Sequence, residues 1–211
     1  MLLETVDSII FDLDGTMWDS SDAIVGIWNE AIKEFKDIDK FITKEELKAV
    51  VGVPVIEIVK TLFPYLNEER AIEFMNYCSK KENEYLPIKG GILFPDLEET
   101  LKSLAQRYKL FIVSNCHNGY IESFFHAHGM EKYFIDFEHP GRTGLTKGEN
   151  IKLIIERNNL KNPIYVGDTQ GDRNAARMAG IPFVYASYGF GEVEDYDYKI
   201  DSFSELKEIY L

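Results

Sequence analysis

Four short runs of β-branched and aromatic residues punctuate this chain, and each stops at a polar or glycine-bearing turn. Residues 6–11 (Val-Asp-Ser-Ile-Ile-Phe) run into Asp12-Leu13-Asp14-Gly15-Thr16. Residues 110–113 precede Ser114-Asn115, residues 164–166 precede Gly167-Asp168, and residues 183–185 precede Ala186-Ser187. Runs of this length and composition predict strands. The stretches between them have helical spacing. Asp96 and Glu99 mark a helix start with Leu97, Leu101 and Leu104 on one face; Ile121, Phe124 and His128 share another, with Gly129 as the stop. Thr146 and Glu149 have capping-box spacing ahead of Ile151, Ile154 and Ile155. Strands alternating with helices predict a parallel sheet covered on both faces.

Residues 17–87 follow a different rule, with helical periodicity and no strand signal. Ile24, Trp28, Ala31 and Phe35 form one stripe, and Thr43 with Glu46 repeats the capping-box spacing ahead of Leu47 and Val50. Pro54 suits a first helical turn leading to Ile58, Val59 and Leu62, and Pro64 ends it. Asn67 caps a last helix through Ala71, Phe74 and Cys78. The expected fold class is α/β: a Rossmann-like parallel sheet with helices on both faces, built from residues 1–16 and 88–211, plus a small all-helical domain over 17–87 inserted after the first strand. The acidic and aromatic segment 192–198 is expected to be a solvated loop.

The 211 residues suit a core domain with a smaller insert, and 23 basic against 36 acidic residues give a net charge of -13. That balance argues against nucleic acid as a partner, which needs a dense basic stripe. It leaves room for a small phosphorylated metabolite, because one bound cation reverses the sign of a pocket. No apolar run approaches the ~18 residues of a membrane span. The first ten residues carry Glu4 and Asp7 and no basic residue, unlike a secretion signal. With only Cys78 and Cys116 there is no disulfide framework. A cytoplasmic protein, a monomer or weak homodimer without membrane partners, is the expectation.

In an open α/β sheet, ligands bind beyond the carboxyl ends of the strands. Asp12/Asp14, Ser114/Asn115 and Asp168 end three of the expected strands, so the fold alone gathers them at one edge. Residues two apart on a strand share a side and lie roughly 6–7 Å apart, a gap that admits a phosphoryl group. Asp12, Asp14, Asp168 and Asp172 would bring up to four carboxylates together, which is unfavourable without a neutralising charge. A hard divalent cation with oxygen ligands, magnesium, supplies it. Lys147 adds a point charge for phosphate, and Ser114 a hydroxyl with backbone N–H groups after it. These parts describe phosphoryl transfer with Asp12 as nucleophile and Asp14 as acid and then base. Taken singly, the aspartates are also helix caps or turn formers, and Lys147 is a helix-start lysine.

The segment Phe11-Asp12-Leu13-Asp14-Gly15-Thr16-Met17-Trp18-Asp19-Ser20 resembles the first motif of the haloacid dehalogenase-like superfamily. Ser114-Asn115 resembles its second motif, Lys147 its third, and Gly167-Asp168-Thr169-Gln170-Gly171-Asp172 its fourth. The helical insert resembles that family's first-type cap, and Gly52-Val53-Pro54 a loop often seen there. The resemblance implies that magnesium is held by the Asp12 carboxylate, the Asp14 backbone carbonyl and Asp168. It also implies that Asp172 orients the metal's waters and that Ser114, Asn115 and Lys147 grip phosphate. Two departures stand out: Pro95-Asp96 where members often have Pro-Gly, and Cys116-His117 after the second motif, a pair that could face the pocket.

Within that family, Asp14 argues against dehalogenase and phosphonatase activity, both of which lack the second aspartate. Thr16, where similar mutases carry Val, favours water as acceptor over a phosphomutase of the β-phosphoglucomutase type. A cysteine phosphatase would need an arginine six residues after Cys116, where Glu122 stands; the thiol reads as a small buried filler. A catalytically silent binding module on the same scaffold is the non-enzyme alternative. The resemblance favours the phosphoglycolate-phosphatase-like branch, with phosphoglycolate, a sugar phosphate, a nucleoside monophosphate and pyrophosphate all open as substrates. Trp18 at the hinge and Trp28 on the insert either pack in the core or stack on a substrate.

Overall fold

The computed structural model describes residues 6–210. Residues 1–5, which include the Glu4 of the leader argument, and Leu211 lie outside the described residues, as does that part of the expected core. Among the described residues eight strands and ten α-helices follow in the order β1 (Ser8–Phe11), β2 (Trp18–Asp19), α1 (Ser21–Glu34), α2 (Lys44–Lys48), α3 (Val55–Leu62), α4 (Glu68–Lys89), β3 (Ile92–Leu93), α5 (Leu97–Leu104) and β4 (Lys109–Val113). The chain continues through α6 (Tyr120–His128), a 3-10 turn at Glu131–Tyr133, β5 (Asp136–Glu138), α7 (Pro140–Thr143), α8 (Lys147–Arg157), β6 (Pro163–Gly167), α9 (Gln170–Ala179), β7 (Phe183–Ala186), β8 (Tyr198–Ile200) and α10 (Glu205–Tyr210).

The main sheet has the order β5-β4-β1-β6-β7-β8, and every pairing is parallel. Side chains alternate between its faces. Ile9, Phe11, Leu110, Ile112, Val166 and Val184 join one buried cluster, which continues into the helical insert. Ile10, Phe111, Val113, Tyr165, Phe183 and Tyr185 join another, under α8 and α9. The α/β expectation of a parallel sheet with helices on both faces is met. The chain winds from β1 outward to β4 and β5, then returns to β6 on β1's other side, so the carboxyl ends of β4, β1 and β6 border one crevice.

Both expected capping boxes form, at Thr43/Glu46 and Thr146/Glu149, and Asn67 Oδ1 accepts from the Arg70 N–H to start α4. Asp96 adopts φ 58°, the left-handed region that a Cβ makes costly and that glycine enters freely.

Three expectations need correction. Residues 17–87 are not free of strand: Trp18–Asp19 pairs antiparallel with Ile92–Leu93, a two-residue ladder whose halves are too short and too distant in sequence to show a period. The last insert helix runs past Pro87 to Lys89, because a proline in the final turn forfeits only one hydrogen bond, and Gly90 at φ 66° ends it. The segment 192–198 is not a plain solvated loop. Val193 is buried, Asp195 pairs with Arg173 and Arg177, Asp197 accepts from the Phe183 N–H, and Tyr198 opens the edge strand β8. None of the helices among the described residues is long and apolar enough to cross a membrane.

Candidate active site

The first turn after β1 folds tightly because Leu13 O accepts from both the Met17 and Trp18 N–H groups, and the Gly15 N–H donates to Trp18 O. Gly15 sits at φ +77°, and a Cβ there would come within 2.1 Å of Asp168 Oδ2. Only glycine combines that backbone with that approach. Thr16, fully buried, donates from its hydroxyl to Asp168 Oδ1 at 3.3 Å, and the Phe190 N–H donates to Asp168 Oδ2 at 2.7 Å. The end of β6 is thereby tied to the end of β1.

Lys147, the first residue of α8, is only 5% exposed and is no solvated helix-start lysine. Its Nζ donates to Asp12 Oδ1 at 3.0 Å and to Asp172 Oδ1 at 2.6 Å. Asp172 does cap α9, as the simpler view of it held: Oδ2 accepts from the Thr169 N–H at 2.9 Å and the Thr169 hydroxyl at 2.6 Å. The same carboxylate therefore starts a helix and neutralises the buried lysine.

Asp12, Asp168 and Asp172 each offer an oxygen within 4.8 Å of the others, and all three are buried. Burial, and then the charge of Asp172, push the Asp12 carboxyl up to about 7 although Lys147 pulls against them. Asp168 is driven well above the usual carboxylate range by burial and by Asp172 and Asp12. Burial opposes the charge on Lys147, yet Asp12 and Asp172 outweigh it and hold the ammonium above its ordinary value. One lysine cannot balance three crowded carboxylates. The donor set is all oxygen, which fits a hard divalent cation such as magnesium.

Asp14 stands apart from this cluster. Its Oδ1 accepts from Trp18 Nε1–H at 2.9 Å, Ser20 Oγ–H at 2.8 Å and Tyr120 O–H at 2.8 Å. Burial nevertheless outweighs these donors and raises Asp14 to about 6. A carboxyl poised there, with one oxygen pinned and the other free, suits proton transfer near neutral pH. None of its three partners was expected from sequence to bind Asp14, and Trp18, read as core packing or a stacking surface, donates to it. Trp18 and Ser20 lie inside the first motif, whereas Tyr120 arrives from α6 without a local signal.

Ser114 and Asn115 sit at the end of β4 beside Asp12 and Asp14, on the wall of a cavity shared with the helical insert. The Asn115 amide donates to Gly52 O at 2.7 Å, so its side chain ties the end of β4 to the insert's loop. Cys116 and His117 do line the cavity. Burial, and then Asp14, keep the Cys116 thiol well above its ordinary pKa, which removes it as a thiolate nucleophile. Trp28 is buried, packs edge-on against Phe74 and still borders the cavity. Glu82 went unnoticed in the sequence. Its signal is an acid on the buried stripe Ala71, Phe74, Cys78, Leu86 of α4, where an apolar residue is the rule.

The chain is 25% identical over 234 residues to a phosphoglycolate phosphatase of Vibrio parahaemolyticus, covering 99% of this chain and 98% of that one. It is 25% identical over 130 residues to the pyrophosphatase PpaX of Listeria innocua, covering 61% of this chain and 57% of that one. Its backbone superposes on a haloacid dehalogenase-like family hydrolase from Streptococcus pneumoniae with a TM-score of 0.86 at 21% identity, over 99% of this chain and 100% of that one. The family model for haloacid dehalogenase-like hydrolases matches residues 9–186, from β1 to the end of β7. By that match, spanning every residue of the aspartate and lysine cluster, the chain belongs to the haloacid dehalogenase-like hydrolase family.

Proposed function

We propose that the chain is a magnesium-dependent phosphatase that hydrolyses a small phosphomonoester through an aspartyl-phosphate on Asp12. The observation that carries this reading is the meeting of Asp12 with Lys147 on one side and the singly pinned Asp14 on the other, over a cluster of three buried carboxylates. Asp12 Oδ1 is held by Lys147, so Oδ2 attacks phosphorus while the bond to the leaving oxygen breaks. Asp14 gives its proton to that oxygen, then takes one from the water that cleaves the phosphorus bond to Asp12. Ser114, the backbone after it and Lys147 hold the equatorial oxygens. Asp12, the Asp14 carbonyl and Asp168 would hold magnesium, with Asp172 behind them, and the ion would supply charge neutralisation at the phosphoryl group. Residues 17–87 act as the cap that excludes water, and residues 1–16 with 88–211 as the catalytic core. The relatives support phosphatase chemistry and put phosphoglycolate and pyrophosphate on any substrate panel.

A phosphate-release screen over small phosphomonoesters tests this. Dialysis against a chelator is expected to silence turnover, and millimolar magnesium to restore it and raise the melting temperature by relieving carboxylate repulsion. Full turnover after chelation overturns the metal's role.

Tyr120→Phe tests the acid/base assignment. It removes one donor to the charged form of Asp14, so the carboxyl rises above its value of about 6. With magnesium present Asp12 would stay ionised, so the alkaline limb of kcat/KM marks loss of the Asp14 proton and is expected to move to higher pH. A limb that stays in place or moves down removes Asp14 as its source.

A further inference from the structure

Glu82 is the one charged side chain of the helical insert that is fully buried among the described residues, and the catalytic reading does not use it. A carboxylate so placed needs partners. Its Oε1 accepts from Trp28 Nε1–H at 2.6 Å, and its Oε2 lies 2.9 Å from His117 Nε2. His117 Nδ1 lies 2.9 Å from Asn118 O, a carbonyl that can only accept. With both ring nitrogens donating, His117 is an imidazolium, neutralising Glu82 across the boundary between insert and core. Burial works against that charge, but Glu82 overrides it and raises the imidazole above its ordinary value.

This pair faces the cavity that opens on Asp12 and Asp14. The cavity offers about 50 Å³ of room for the centres of water-sized molecules, which suits a compact group. No lysine or arginine is among the described residues that line it. Its single cation, His117, has both N–H groups committed. The insert's remaining wall is largely apolar, including Ile24, Leu47 and Ile58. A leaving group that ends in a carboxylate or second phosphate would meet the charge of Glu82 with no lysine or arginine beside it. One that ends in a hydroxyl finds lone pairs on Glu82 still open, since each carboxylate oxygen accepts two hydrogen bonds.

Resting on the phosphatase reading above, we propose that Glu82 determines specificity: the substrate is the phosphomonoester of a compact, uncharged alcohol whose own hydroxyl donates to Glu82, and anionic leaving groups are turned away. The relatives' names therefore extend to reaction class but not to the leaving group.

The test compares kcat/KM, with magnesium, for 2-hydroxyethyl phosphate and phosphoglycolate, which share a two-carbon frame and differ by CH2OH against a carboxylate. The wild-type chain is expected to prefer the alcohol by about 30-fold or more, the scale set by one unpaired charged contact. In Glu82→Gln the negative charge is gone and His117 is released, so the preference is expected to fall by about tenfold or more. A wild-type preference for phosphoglycolate or pyrophosphate overturns the proposal. So does a cooperatively folded Glu82→Gln with an unchanged ratio. If that variant fails to fold, the wild-type ratio alone decides. Absence of phosphate release from every ester, p-nitrophenyl phosphate included, instead sinks the phosphatase reading and this proposal with it.

Discussion

Asp12→Asn is expected to cut magnesium-dependent phosphate release by more than about 1,000-fold while leaving a cooperatively folded protein. Amide nitrogen is no nucleophile, and the nearby Cys116 thiol is held protonated by burial and Asp14. The fold survives because asparagine is isosteric and its carbonyl oxygen still accepts from Lys147 Nζ. Stability is expected to rise slightly, since one of three crowded carboxylates becomes neutral. Residual turnover above about one percent of wild type would sink the covalent mechanism; the thermal melt, read in parallel, separates lost chemistry from lost fold.

Lys147→Met is expected to cost both stability and turnover. The methionine fills the stem's volume, but Asp12 and Asp172 lose the cation that each now contacts at 3.0 and 2.6 Å. Breaking a buried pair from one side typically costs about 3–5 kcal/mol. The loss carries a pH signature. Asp12 already has a folded-state value near 7, above its unfolded one, so its protonated form is favoured in the folded protein. Removing Lys147 raises that value further, which makes the variant's deficit small at about pH 5 and larger as pH rises through 7. Urea midpoints measured across this range check it, and a deficit independent of pH would show that packing, not charge, sets the role of Lys147. Turnover is expected to fall by about 100-fold or more at pH 7, with magnesium narrowing the stability gap but not restoring the rate.

Much of the site was legible because it obeys short-range rules. Asp12 and Asp14 are two apart on one strand end, Asp168 and Asp172 bracket a helix start, and Lys147 opens a helix behind a capping box. Strand polarity then brings all of them to one edge without knowledge of any contact. The partners of Asp14 show where this stops. Ser20 and Trp18 were in view as residues of the motif, but their hydrogen bonds depend on the chain doubling back after Gly15. Tyr120 reaches Asp14 across 106 positions, and no periodicity encodes such a distance. The β2–β3 ladder was missed for the same reason, since two-residue strands carry no pattern of their own. Thr16, weighed in the sequence only as a marker of the acceptor, turns out to bind Asp168.

The order of strands and helices, the edge on which the aspartates meet and the family of the chain were determined by the sequence, because hydrophobic period, caps and motif spacing are local properties. The state of each charge was decided by the tertiary structure alone. Asp12 and Asp14 became candidates for nucleophile and acid/base through burial and through Lys147, Tyr120 and Ser20 closing around them. Glu82, one acid on an apolar helix stripe, acquired a role only when α1 brought Trp28 to it and the loop after β4 brought His117. Desolvation and long-range pairing set such charges, and both exist only once the chain has folded.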